Sequence, residues 1–157
     1  MQKTIQKQPT PQPRQESLPA ALPGEFLRRV EICKGDFPTL SNCIGAALFI
    51  SGEIEKDCKI EVDAARSSHL MRLRNLDSPR VGCLVAWTVT LNGLITVEHI
   101  GIVTAVQPEV LVTYRMGSSG IIREDQPIAV AGGSYREFCK TYPFCCKEEY
   151  FLPRALQ

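Results

Sequence analysis

Cys43 and His99 are the two residues whose types and positions could do chemistry together. Cys43 follows Asn42 at the start of a short apolar run, where a helix is expected to begin. His99 opens the run 99–103, which is typical of a strand. A nucleophilic cysteine needs a base within hydrogen-bond reach and a local cause that lowers its pKa. Because the N–H groups and dipole at a helix N-terminus supply such a cause, this pair predicts nucleophilic thiol chemistry.

Three helices are expected in the first half of the chain. Apolar residues at helical spacing predict one over 25–33. Ser41 or Asn42 is a suitable N-cap for a second helix, from Cys43 to about Ile50. This helix is apolar on all sides, so we expect it to be buried. A third and more exposed helix is expected from Glu61 to about Leu76.

Strands are expected in the second half. Residues rich in β-forming types occupy 82–89, 94–106, 110–115 and 121–123, and a closing strand is expected at 149–152. Asn92-Gly93 is a hairpin signal, and Gly132-Gly133 marks the start of the final stretch. Helices followed by an antiparallel meander predict an α+β domain, with N-terminal helices packed on a central antiparallel sheet of about five strands.

Composition bounds the domain organisation and the partners. The chain has 157 residues, 44% of them hydrophobic, and a formal net charge of +1, which predicts one domain with a core and no strong attraction to nucleic acid or to an anionic membrane. Residues 1–23 are rich in proline and glutamine, which predicts a flexible leader before a domain at 24–157. A proline-rich ligand for a partner protein is the alternative for this leader. Without a recognisable signal peptide, we expect a cytoplasmic protein or one exported by another route.

Seven cysteines are many for such a chain, but their spacing does not indicate a metal site. No C-x-x-C pair occurs and the chain has only two histidines, so we expect no metal and no cofactor. Most of the thiols are expected to be small buried apolar residues.

Three stretches, in this order, resemble the NlpC-type cell-wall cysteine peptidases, a branch of the papain-like superfamily. The family motif Asp-Cys-Ser-Gly corresponds to Asn42-Cys43-Ile44-Gly45. Its Pro-Gly-Asp-Leu-Val-Phe corresponds to 80–87, and its His-Val-Gly-Ile-Tyr to 99–103. A strand that runs into Ser118-Ser119-Gly120-Ile121-Ile122 is similar to the tail of the family. The resemblance covers about residues 25–152 and implies a divergent member with a papain-like fold.

The resemblance also implies a cysteine hydrolase of amide bonds, either an endopeptidase or an amidase. Cys43 would attack an amide carbonyl to form a thioester, and His99 would move the proton and then activate water. The oxyanion would accept a hydrogen bond from the Cys43 N–H. A third group must orient the imidazole. The family takes it from the next strand, which indicates Tyr114 or, with a slip of one residue, Thr113. Since successive side chains alternate between faces, only one of the two can face the site; a backbone carbonyl is the further alternative.

The expected partner is a peptide or a peptidoglycan fragment, because the family cleaves peptidoglycan peptides. A wall-degrading effector delivered into rival cells and an intracellular recycling or deamidating enzyme are both consistent with the absence of a signal peptide. One alternative to hydrolysis is a non-catalytic papain-like module that binds a ligand in the same cleft. The other is a redox-responsive protein that uses Cys139 or the adjacent Cys145-Cys146.

Overall fold

The structure is a computed structural model that describes residues 21–35, 41–117 and 120–157. Most of the predicted leader, residues 1–20, and the predicted Ser118-Ser119 turn lie outside the described residues. Within the described ranges, no helix has both the length and the apolar character needed to cross a bilayer.

The described residues contain four α-helices, and the first two confirm the prediction. They are α1 (Gly24–Cys33), α2 (Cys43–Ile50), α3 (Val62–Ser68) and α4 (Ile128–Thr141). α1 buries one face through Phe26, Val30 and Cys33. Every residue of α2 is buried, as its uniformly apolar sequence predicts.

The strands form one open antiparallel sheet, which confirms the α+β class. They are β1 (Arg74–Leu76), β2 (Leu84–Leu91), β3 (Leu94–Ala105), β4 (Leu111–Arg115), β5 (Ile122–Pro127) and β6 (Cys146–Leu152), in the spatial order β1-β6-β2-β3-β4-β5. The Asn92-Gly93 turn joins β2 to β3 with positive φ at both residues, as a tight hairpin requires. The sheet therefore has six strands where about five were expected.

The additional strand lies inside the segment predicted as the third helix. α3 ends at Ser68, a 3₁₀ turn covers Leu70–Arg72, and β1 then pairs with β6. The helix predicted up to Leu76 is therefore wrong in its second half. Pairing with a strand that comes much later in the chain decides the conformation here, and local spacing of apolar residues does not reveal such pairing.

The sequence did not predict α4, because Gly132-Gly133 were expected only to mark the start of the final stretch. Both glycines lie inside α4, and Gly133 has a φ of +50° that breaks the helix into two pieces. Glycine adopts this conformation without the steric penalty that other residues meet. The kink therefore lets one continuous segment cover the sheet while changing direction above it.

The sheet separates two hydrophobic cores. α1 and α2 pack on one face, with Ile100 and Ile102 of β3. Trp87 and Val103 belong to the other core, together with Ala131 of α4. Alternation along the strands sends successive side chains to opposite cores, so His99 and Ile100 point in different directions.

Candidate active site

An open cavity of about 260 Å³ lies where α2, β3, the end of β4 and α4 meet. Its lining includes three residues that the sequence indicated, Cys43, His99 and Tyr114. It also includes Glu98 of β3 and, from α4, Ser134 and Tyr135, for which no role was predicted. Residues far apart in the chain therefore converge on one concave site.

Cys43 is the first residue of α2, and Asn42 fixes the start of that helix. The Asn42 side-chain oxygen accepts a hydrogen bond from the Gly45 N–H at 2.8 Å, as an N-cap does. The same side chain donates to the Ile60 carbonyl at 2.7 Å and accepts from the Ile60 N–H at 3.3 Å. Asn42 thus holds a neighbouring loop and the helix start together, and this fixes the backbone that carries the thiol.

Cys43 lines the cavity but is largely buried, with only 8% of its surface exposed. Burial raises the pKa of its thiol, because a thiolate loses its hydration there, and the carboxylate of Glu98 adds to this increase. The backbone N–H groups of Ile100, Ile44 and Cys43 itself hydrogen-bond the sulfur and lower the pKa in part. The sulfur is therefore surrounded by the kind of donor that could also stabilise an oxyanion.

His99 is held inside a group of aromatic rings. Its ring stacks on Trp87 with centroids 5.4 Å apart and on Tyr135 at 5.6 Å, and it contacts Tyr114 edge-on at 5.1 Å. Burial lowers the pKa of His99 to about 4. The imidazole is consequently neutral at pH 7 and has the basic nitrogen that a general base requires.

The backbone of Ala131 also positions the imidazole. It makes a hydrogen bond with His99 that raises the pKa against the effect of burial, as a carbonyl acceptor does. Ala131 lies two residues before the kink at Gly133. Because the helical ladder is interrupted at that kink, a carbonyl in the preceding turn can accept from a side chain.

Trp87 is itself fixed by a polar network centred on Glu148. The Trp87 ring N–H donates to one carboxylate oxygen at 2.8 Å, and Arg136 donates to the same oxygen at 2.9 Å. The Tyr150 hydroxyl donates to the other oxygen at 2.8 Å. The Trp87 ring, on which His99 stacks, is therefore held by one hydrogen bond to Glu148, and two further hydrogen bonds fix that carboxylate.

A β-bulge in β3 brings Glu98 to the cavity. Trp87 pairs with His99, but the next residue of β2, Thr88, pairs with Val97, so Glu98 has no partner across the ladder. A bulge of this kind changes the direction of side chains and is common beside active sites. It places Val97 and Ile100 in the same core, with the Glu98-His99 pair between them.

Tyr114 and Thr113 lie on different faces of β4. Tyr114 lines the cavity and contacts His99, whereas the Thr113 hydroxyl accepts a hydrogen bond from the Asp125 N–H at 3.1 Å. Gly101 allows β4 to pack closely against β3 here, because a Cβ there would clash with Val112 Cγ1 and would lie 3.0 Å from the Thr113 carbonyl oxygen and 3.2 Å from the Tyr114 Cβ. The structure thus brings Cys43, His99 and Tyr114 to one cavity and does not bring Thr113 there.

Sequence reasoning missed the contribution of α4. Ala131 and Tyr135 reach His99 from a segment that was not expected to be helical. No role was predicted for Glu98 from the sequence. The phase break between Val97 and Ile100, two apolar positions three residues apart in a strand, was the available signal for the bulge.

The cysteines outside the cavity form no disulfide and, among the described residues, belong to no cluster that could hold a metal ion. All seven cysteines are free, and Cys33 and Cys83 are buried, as expected. Among the described residues, no cluster of three or more His, Cys, Asp or Glu side chains could hold a metal ion.

In comparisons with known protein families, with curated proteins and with solved structures, nothing matches this chain. The similarity to NlpC-type peptidases therefore depends on the quoted motifs alone.

Proposed function

We propose that the protein is a cysteine hydrolase of amide bonds with a papain-like arrangement of Cys43 and His99. The observation that carries the proposal is that both residues line one open cavity, with backbone N–H groups around the sulfur. A nucleophile, a base and oxyanion donors are the three parts that acyl transfer through cysteine requires.

The reaction starts from a neutral pair. As the Cys43 sulfur bonds to the amide carbonyl carbon, the imidazole of His99 accepts the thiol proton. The oxyanion accepts hydrogen bonds from backbone N–H groups at the start of α2, such as that of Cys43. The C–N bond then breaks, and the imidazolium gives its proton to the leaving amine.

Water completes the cycle. His99 accepts a proton from the water that attacks the thioester, and the C–S bond breaks to release the acid and restore the thiol. The faces of Trp87 and Tyr135 on either side of the ring favour the transient imidazolium through cation–π attraction.

In this proposal, the Ala131 backbone and Tyr114 take the place of the third catalytic residue. Ala131 hydrogen-bonds the imidazole and Tyr114 restricts its rotation by edge-on contact. Both are positioning residues for His99, as the orienting member of a triad is.

The resemblance to NlpC-type peptidases supports a peptide of peptidoglycan as the substrate class. The test is to incubate purified muropeptides with the wild type, Cys43→Ala and Cys58→Ala, and to identify the products by mass spectrometry. Cys58 is exposed, so its variant controls for loss of a thiol outside the cavity. We expect Cys43→Ala to lose at least about a thousandfold in rate and Cys58→Ala to retain the wild-type rate.

Two results would contradict different parts of the proposal. If Cys43→Ala cleaved as fast as the wild type, the mechanism would be wrong. If the wild type cleaved none of the muropeptides, the substrate class would be wrong.

A non-catalytic binding module is the second candidate, and the burial of both groups favours it. Only 7% of His99 and 8% of Cys43 are exposed, and burial keeps both neutral. In that case muropeptides would bind to the wild type and to Cys43→Ala with equal affinity in calorimetry, and neither protein would turn them over.

A further inference from the structure

Glu98 is the single side chain with a formal charge among the described residues that line the cavity. The rest of the lining is apolar, aromatic or uncharged, apart from Cys43 and His99. Since His99 is neutral at pH 7, Glu98 contributes the one side-chain charge among the described residues of the lining.

Several other carboxylates beside the sheet are in ion pairs. Glu148 pairs with Arg136 at 2.9 Å, Glu149 with Arg66 at 3.3 Å, and Asp57 with Arg115. Glu98 makes no ion pair within the described part of the chain; its carboxylate accepts a hydrogen bond from the Thr96 hydroxyl at 2.8 Å. A half-buried carboxylate without an ion-pair partner can accept charge-assisted hydrogen bonds from a cationic group of a ligand.

The bulge and Thr96 give this carboxylate a fixed position. Glu98 is the residue without a partner across the ladder, so its side chain is not committed to a neighbour on β2. The Thr96 hydroxyl, two residues earlier on the same strand, restricts the rotation of the carboxylate. Preorganised groups bind a ligand at a lower entropic cost than mobile ones do.

The carboxylate also acts close to the reacting sulfur. Glu98 is one of the groups that raise the pKa of the Cys43 thiol, so its field reaches that atom. A cationic group bound at Glu98 would reverse this effect and favour the thiolate. Binding of the right ligand and activation of the nucleophile would therefore be coupled.

We propose that Glu98 binds a primary ammonium group of the ligand, so that the cavity takes peptides with a free amine beside the bond that faces Cys43. This inference rests on the proposed function for the scissile bond, although the amine site itself does not. Tyr114 and Tyr135 also line the cavity, and aromatic rings can attract an ammonium group.

Charged thiol reagents of similar size test this site without any turnover. Aminoethyl methanethiosulfonate carries an ammonium group and sulfonatoethyl methanethiosulfonate carries a sulfonate. The rate at which each modifies Cys43 is measured by peptide mapping with mass spectrometry. The readout is the ratio of the cationic rate to the anionic rate in the wild type, Glu98→Gln and Glu109→Gln. Glu109 is exposed on the turn before β4, so its variant has the same change in net charge away from the cavity.

We expect the ratio to fall about tenfold in Glu98→Gln and to stay at the wild-type value in Glu109→Gln. In the wild type the ratio should also fall between low salt and about 1 M salt, because screening weakens the attraction. An unchanged ratio in Glu98→Gln would overturn the proposal. So would a Cys43 that reacts with neither reagent in the native protein but reacts after denaturation.

Hydrolysis separates this inference from the proposed function. Peptides with a free amine and their N-acetylated forms are compared as substrates. A charge-dependent labelling ratio without hydrolysis of any peptide would support the amine site and contradict the hydrolase. Hydrolysis that ignores acetylation, with a ratio unchanged in Glu98→Gln, would support the hydrolase and overturn the amine site.

Discussion

Two polar clusters lie beside the sheet, and they differ in how their charged groups are partnered. In the first, the Arg115 guanidinium donates to Asp57 at 2.5 Å, with the two side chains 4% and 8% exposed. Ser41 donates to the other oxygen of Asp57, and Arg115 donates to the Gly120 carbonyl at 2.7 Å. In the second, Cys43, His99 and Glu98 share a cavity wall and contain no ion pair.

This difference indicates that the first cluster, around Asp57 and Arg115, is the structural one. Asp57 and Arg115 form a buried ion pair that joins the loop after α2 to β4, although the Arg115 Nε has no hydrogen-bond partner among the described residues. The cavity cluster retains a basic nitrogen, a thiol and an unpaired carboxylate that face open space. Keeping ionisable groups such as the thiol and the imidazole buried has a cost in stability, and such a cost is typical of functional sites.

Breaking the first cluster should have the largest effect on stability. We expect Asp57→Ala to lower the free energy of unfolding by about 3–5 kcal/mol, because it leaves the Arg115 charge buried without its partner. Urea denaturation followed by circular dichroism measures the loss. Adding Arg115→Met to Asp57→Ala should recover part of it. A loss below about 1 kcal/mol would show that the pair is not a structural element.

The second cluster should make stability depend on pH. The pKa of His99 is about 4 in the folded protein, against about 6.5 in an unfolded chain. Between these values the unfolded chain binds a proton that the folded protein does not. The free energy of unfolding should therefore fall as the pH drops from about 6.5 to 4, by up to about 3 kcal/mol.

His99→Phe isolates this contribution, because it retains an aromatic ring between Trp87 and Tyr135 but cannot be protonated. Denaturation is measured at several pH values in both proteins, and the difference between them removes the contribution of the carboxylates. Curves that stay parallel from pH 7 to 4 would contradict the buried neutral state of His99.

The cap of α2 should have an intermediate effect. Asn42→Ala removes the acceptor for the Gly45 N–H and both contacts to Ile60, so we expect a loss of about 1–2 kcal/mol. Asn42→Asp loses the donor to the Ile60 carbonyl, but it retains the accepting oxygen and adds a favourable charge at the helix start, so it should lose less. Thermal denaturation of the two variants checks this, and equal losses would mean that the cap contributes little.

The smallest effect on stability is expected at Glu98, because its carboxylate has no ion-pair partner among the described residues. Glu98→Gln should change the free energy of unfolding by less than about 0.5 kcal/mol, because no buried charge is left behind. Asp57→Asn, the same change of group in the first cluster, should be far more costly. If the two variants were equally destabilised in urea, the contrast between the clusters would be lost.

The helical start of the fold could be predicted well because its signals are local. The apolar run after Asn42 and the hairpin turn at Asn92-Gly93 were sufficient for α2 and the β2–β3 hairpin. β1 and α4 were missed for physical reasons. β1 depends on pairing with β6, and α4 contains two glycines that lower its intrinsic helix propensity.

For the candidate site, the sequence indicated which residue types take part better than it indicated the directions in which their side chains point. Cys43 was found because a helix start is visible locally. His99 was expected to open a strand, but it lies in the middle of β3, beside the bulge. Alternation along β4 meant that either Tyr114 or Thr113 would face the site, and the register that places Tyr114 there depends on pairing with β3. The bulge that directs Glu98 and the kink beside Ala131 depend on tertiary contacts, so a single sequence could not specify them.

The most direct test of the central claim is whether His99 controls the reactivity of Cys43. The rate of iodoacetamide alkylation at Cys43 is measured by peptide mapping from pH 5 to 9 in the wild type, His99→Gln and His99→Phe, with the exposed Cys58 as the internal reference. We predict that Cys43 reacts at least about tenfold faster in the wild type than in both variants near pH 7, while Cys58 reacts equally in all three. Equal Cys43 rates in the three proteins would contradict a working pair.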